Sequence, residues 1–178
     1  MLQKTLHIHV RVLTKPRSSR SVKKMISAMK AVYHAADIDV KLVSSQVLNL
    51  DDHQLSALND LDIGTCTRNQ PTQEQRDLAQ FRSGVPDGET VVYACHTLSD
   101  AAAGCAVYPQ NKPMVAISAK HATLYTLAHE IGHLLGLEHT PTPGGNQLMT
   151  GGGTSGLVPV PVLSQSEINS MRNSPLLT

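Results

Sequence analysis

Nowhere does the chain carry an apolar run approaching about eighteen residues, which excludes a membrane-spanning helix. An excess of one charge is lacking too, since 15 Lys and Arg stand against 14 Asp and Glu for a net charge of +1. With both signs interspersed, no basic field draws nucleic acid or an anionic membrane. The nearest thing to one, Lys15, Arg17, Arg20, Lys23 and Lys24, reads as a solvated loop and helix start. Repeats and low-complexity tracts are absent, which removes repeat architectures. Cysteine is scarce: Cys66, Cys95 and Cys105 allow at most one intrachain disulfide. Cys95 and Cys105 flank what reads as a strand connection and are the first pair to consider. The early apolar residues are interrupted by Lys4, His7, His9 and Arg11, so no signal-peptide apolar region is visible. The expectation is a chain that stays in the cytoplasm or leaves by a signal-independent route, unless it is a trimmed mature domain.

What is present is enough for one compact domain over residues 1–178, with 40% hydrophobic content to build a core. Its most informative segment is His129 to His139, which reads His-Glu-Ile-Gly-His-Leu-Leu-Gly-Leu-Glu-His. The pattern HExxHxxGxxH fixes five positions, and a chance match in a chain of this length is on the order of 10^-4 or less. Residues four apart share a helix face, so His129 and His133 can present two imidazoles to one tetrahedral zinc ion. Glu130, rotated by about 100°, can flank that ion without ligating it. On a continuing helix His139 would lie about 240° around from His133, out of reach. The chain therefore has to turn, and Gly136 stands where a helix end asks for a left-handed residue. His139 can then return as third ligand, leaving a fourth position open. Leu124, Leu127, Ala128, Ile131, Leu134 and Leu135 form an apolar stripe roughly opposite the two histidines.

The remaining elements follow from periodicity. Leu6, Ile8, Val10 and Val12 alternate with His7, His9 and Arg11 as in a half-buried strand. Val22, Met25, Ile26, Met29, Val32, Tyr33 and Ala36 mark a long amphipathic helix. Ile38, Val40 and Leu42 predict a second strand, and Thr90 to Ala94 a third after the turn Val85-Pro86-Asp87-Gly88. The stretch from Leu50 to Gly84 is polar and poorly periodic, with short helices predicted around Asp52 to Leu58 and Gln73 to Phe81. Ser164 and Glu167 make a capping box inside the staple pair Leu163 and Ile168, predicting a closing helix through Arg172.

The long zinc motif resembles that of the metzincins, the metallopeptidase clan of astacins, adamalysins, serralysins and matrix metalloproteinases. The resemblance implies an α+β fold: a mixed, twisted sheet of about five strands, a backing helix, the zinc helix and a short C-terminal helix. It implies one catalytic zinc ion on His129, His133 and His139, with Glu130 as general base for a water that hydrolyses a peptide bond. Within Asn146 to Thr150, Met149 corresponds to the clan's methionine turn. Gly104, Cys105, Ala106, Val107, Tyr108 and Pro109 resemble the edge strand to which an extended substrate adds. Pro113 to Ser118 resembles the strand beside it. The Gly/Pro-rich stretch Gly151 to Val162, including Val158 and Val160, resembles the loop that walls the pocket beyond the scissile bond. Some branches carry a tyrosine two residues after the turn methionine; here Gly151 stands there, and no side-chain oxyanion donor can be named. Other metalloproteinases are kept latent by a cysteine thiolate, but the surroundings of Cys66 do not match that motif.

The expected function is thus a zinc-dependent endopeptidase, monomeric, acting on protein or peptide, with an inhibitor or protecting partner as one means of restraint. Neither nucleic acid nor membrane is an expected partner. Two other classes stay open. A zinc-dependent endoribonuclease family shares the three-histidine spacing but lacks a glutamate after the first histidine. A non-catalytic zinc or peptide-binding module would not need Glu130. A deformylase-like site using Cys105 is disfavoured, since His139 already completes the ligand set. Glu138 reads as a surface residue, and His96 and His121 as solvent or loop histidines.

Overall fold

The computed structural model describes residues 2–13, 21–140, 146–150, 154 and 160–178. In chain order the elements are β1 (Lys4–Val12), α1 (Val22–Tyr33), β2 (Ile38–Val47), α2 (Asp52–Leu58), β3 (Asp60–Leu61) and α3 (Gln73–Leu78). They continue with β4 (Thr90–Cys95), β5 (Thr97–Leu98), β6 (Gly104–Val107), β7 (Met114–Ser118), α4 (Thr126–Leu134) and α5 (Gln165–Arg172). The main sheet has five strands in the order β2-β1-β4-β7-β6. Its first four strands run parallel, and β6 closes one edge antiparallel to β7. The fold is the expected α+β arrangement around a mixed sheet. No helix among the described residues is long and apolar enough to cross a membrane.

Two apolar layers sandwich the sheet. On the front face Leu6, Ile8, Val10, Val92 and Ile117 pack with Met25, Met29 and Tyr33 of α1 and with Leu127, Ile131 and Leu134 of α4. On the back face Val91, Tyr93, Cys95, Cys105 and Val107 pack with Leu58, Leu61 and Leu78. Strand alternation explains the split, because successive side chains point to opposite faces.

Where the structure departs from the periodicity, packing is the reason. The polar face of β1 is not solvated: His9 and Arg11 are buried, because the segment after α3 crosses over them. The Arg11 guanidinium donates to the Ser83 carbonyl at 3.2 Å and to Ser44 Oγ at 3.0 Å. His9 lies 2.7 Å from Ser44 Oγ and 2.6 Å from Glu89. The polar groups are hydrogen-bonded, as burial demands. β2 runs on to Val47, beyond the alternating part, as an outer edge strand on which Leu42, Val43 and Val47 stay exposed. A register shift against β1 between Ile8 and His9 accompanies the change.

The helix ends behave as their residues dictate. Ser21 caps α1 through the Lys24 N–H, and capping boxes start α2 (Asp51, Gln54), α3 (Thr72, Gln75) and α5 (Ser164, Glu167). Leu163 and Ile168 both pack on the front core, as the staple requires. Arg172 then ties α5 to the chain's beginning by donating to the Ala36 and Leu2 carbonyls, each at 2.8 Å.

Candidate metal centre

The site starts from how α4 ends. Gly136 has φ +96, the Gly136 N–H donates to the His133 carbonyl at 3.1 Å, and the Leu137 N–H donates to the Gly132 carbonyl at 2.9 Å. This paired closure is the Schellman motif, which needs a residue free of Cβ strain at Gly136. It reverses the chain and brings His139 back towards the helix. The Thr140 N–H then donates to the Met149 carbonyl at 2.8 Å, fixing the returning segment against residues 148–150.

Three imidazoles converge as a result. His139 Nε2 lies 3.1 Å from His129 Nε2 and 3.2 Å from His133 Nε2. The other ring nitrogens are occupied: His129 Nδ1 donates to the Leu148 carbonyl at 2.8 Å and His133 Nδ1 to the Leu137 carbonyl at 2.9 Å. With the proton held on Nδ1, each Nε2 of this pair presents a lone pair to the common point. Burial pushes His129 down to about 4 and lowers His133, so both rings are neutral at physiological pH. Converging neutral nitrogen lone pairs repel unless a cation lies between them. This donor set fits a divalent metal, and His129, His133 and His139 are the residues that would hold it.

Glu130 sits beside this cluster, buried, its carboxyl pushed up to about 8 by desolvation. It faces Gly104 of β6, where a Cβ would stand 2.6 Å from Glu130 Cγ and 2.9 Å from its Oε1. No side chain fits at position 104 while the carboxylate keeps its place. Gly132 makes the matching demand on the other side of α4: a Cβ there would be 2.9 Å from Met149 Sδ. Met149 is fully buried beneath the helix. Neither glycine stood out in the sequence beyond its place in a pattern; each is required by a contact between distant segments.

A cavity of about 460 Å³ opens at the histidines. Gly104 and Ala106 line one side; Thr65, Cys66, Thr67 and Arg68 form another wall; Leu137 and Glu138 complete it beside His139. A smaller cavity on the other side of Glu130 is lined by Ala103, Gly104, Thr126, His139 and Thr154. Thr154 is buried, and its hydroxyl joins those of Thr123 and Thr126.

The edge-strand residues therefore divide. Gly104 and Ala106 face the cavity, whereas Cys105 and Val107 point into the back core. Tyr108 turns its hydroxyl to the Leu134 carbonyl at 2.6 Å, and its N–H donates to the Arg68 carbonyl at 2.9 Å. Cys105 pairs with Cys66, not with Cys95, which is buried and free. The expected pair fails because β7 lies between β4 and β6, putting Cys95 and Cys105 two strand spacings apart, roughly 9–10 Å. A disulfide-bonded Cys105 also closes the deformylase-like alternative. Val160 lies away from the histidines, in a surface depression with Leu124, Tyr125 and α1. Val158 and Gly151 fall outside the described residues. His96 and His121 do not line either cavity at the histidines.

Residues 14–157 match the family model for metallo-peptidase family M12. The chain belongs to that family. Among solved structures, metalloproteinase-II from Bacteroides fragilis superposes with a TM-score of 0.69 at 18% identity, covering 94% of this chain and 52% of that one. The archaemetzincin of Methanopyrus kandleri gives a TM-score of 0.53 at 13% identity, over 94% of this chain and 93% of that one. At such identities the likeness is one of fold. The chain spans about half the length of the Bacteroides protein. No curated protein matches it in sequence. Family M12 membership and the three-histidine cluster together give the chain a metal site of the metallopeptidase type.

Proposed function

We propose that the chain is a zinc-dependent endopeptidase in which Glu130 is the general base. The observation that carries this is the convergence of three Nε2 atoms beside a buried carboxylate, in a cavity open along a strand edge. Zinc bound there supplies Lewis acidity that eases the deprotonation of a water and offsets negative charge on a substrate carbonyl oxygen. Glu130 takes the proton from the attacking water and passes it to the nitrogen of the departing amine as the C–N bond breaks. Its position supports this role, because the carboxyl lines the cavity directly beside the three histidines. Along β6, alternation turns the main-chain groups of Gly104 and Ala106 outward, away from β7, where an extended peptide can add as a further strand. Met149 is the turn methionine in this proposal, holding the floor under Gly132. The family favours peptide over RNA as substrate, since the ribonuclease alternative has no counterpart of Glu130.

Purified Glu130→Gln protein should bind one zinc ion and cleave no peptide, whereas His133→Ala should lose both metal and cleavage. Hydrolysis retained by Glu130→Gln would remove the general-base assignment. Chelator-insensitive cleavage would remove the metal.

A further inference from the structure

The wall of the larger cavity formed by residues 65–68 carries one cation among the described residues, Arg68. Its placement is held at several points. Two residues earlier Cys66 is bonded to Cys105 of β6, and the Arg68 carbonyl accepts the Tyr108 N–H at 2.9 Å. The guanidinium lies over the Tyr108 ring, 4.4 Å from its centroid, and Nη2 reaches the Leu134 carbonyl at 3.5 Å. Stacking and backbone anchoring limit the freedom an exposed arginine normally has, while most of its five N–H donors remain for a ligand. Among the described residues no carboxylate lies within ion-pair distance of it. Glu138 lines the same cavity beside His139, yet the two charges do not pair. A peptide lying in this cavity meets a guanidinium held in place over the Tyr108 ring.

We infer that Arg68 is a specificity-determining residue that selects peptides presenting a carboxylate to the wall formed by residues 65–68. The inference rests on the endopeptidase reading above. An Asp or Glu side chain in the bound peptide is one source of that carboxylate and a free C-terminus is the other. A planar guanidinium receives either by paired N–H donors, and a charge-assisted contact of this type discriminates against the isosteric amide by about tenfold or more.

The test incubates the zinc-loaded full chain with a synthetic peptide library and identifies cleaved products by mass spectrometry. The best substrate is then remade in matched pairs, Glu against Gln or Asp against Asn, and free acid against C-terminal amide. The expected result is one position enriched in acidic residues, or a requirement for the free C-terminus. The kcat/KM ratio within the matched pair should be about tenfold in the native chain, collapse in Arg68→Gln and be partly restored in Arg68→Lys. A purely structural Arg68, serving only to cap the Leu134 carbonyl, would lower both members of the pair together and leave the ratio in place. That outcome, or cleavage without acidic enrichment, overturns the inference while leaving the peptidase reading intact. If no peptide is cleaved, the peptidase reading fails, and calorimetric binding of acidic and amide peptides to zinc-loaded protein still decides on Arg68. Equal binding of the two would overturn it.

Discussion

The two walls of the metal cavity are built by different means. The histidine wall is local: nine residues of α4, one Schellman turn and a return bring three ligands together within eleven positions of sequence. The opposite wall is assembled from afar. Residues 65–68 reach the cavity through a cystine to β6, 39 residues on, and through a main-chain bond to Tyr108. In the reading proposed above, metal binding depends on the first wall and substrate choice on the second. Local geometry follows from helical periodicity, so it is robust to changes elsewhere; the assembled wall depends on a cross-link and on close approach at single glycines.

Cutting the cross-link should separate the walls most sharply. Replacing Cys66 and Cys105 by alanine removes a 39-residue closed loop, and the loss of unfolded-state constraint is about 4 kcal/mol, measurable by denaturant unfolding. Zinc content of the folded double variant should stay at one ion, while discrimination between Glu and Gln peptides drops. Loss of zinc in folded protein would show that the walls are not independent.

Gly104→Ala attacks the junction of the two walls. Its Cβ would stand 2.6 Å from Glu130 Cγ, so either the carboxylate or β6 must move. A displacement approaching 1 Å at a catalytic group costs about 10²-fold in kcat/KM. The expected protein is folded, metal-loaded and slow. Unchanged kinetics would mean that Glu130 has room the packing denies.

Gly136→Ala is the smallest perturbation and falls on the local wall alone. At φ +96 a Cβ meets no neighbouring atom within 4 Å, so the cost is backbone strain only, about 1–2 kcal/mol of stability. Weakened zinc affinity should accompany it, because the turn sets the position of His139. Peptide selectivity should not change.

Much of this contrast was legible beforehand in unequal measure. Helical spacing sufficed to place His129, His133 and Glu130, and the need for a turn singled out Gly136, because these are constraints within one short segment. β1 and β2 announced themselves by alternation, β4 by the turn before it, β6 and β7 through the family resemblance, and α5 by its capping box. The polar stretch from Leu50 to Gly84 hid the cavity's second wall: Arg68 has no periodic context and becomes significant only beside Tyr108 and His133. The cystine was hidden for a related reason. Cys95 and Cys105 are close in sequence, but the sheet order inserts β7 between their strands, whereas Cys66 approaches Cys105 with Cα atoms 5.7 Å apart.

The sequence by itself determined which histidines converge, which glutamate stands beside them and the reversal that unites them, because a helix of fixed pitch converts spacing into direction. Tertiary structure alone decided which glycines must stay bare, which cysteine pairs, how the polar face of β1 is buried and which cation stands over the site. Those outcomes depend on distances between segments remote in the chain, and such distances are set by sheet order and packing of two apolar layers rather than by any local pattern.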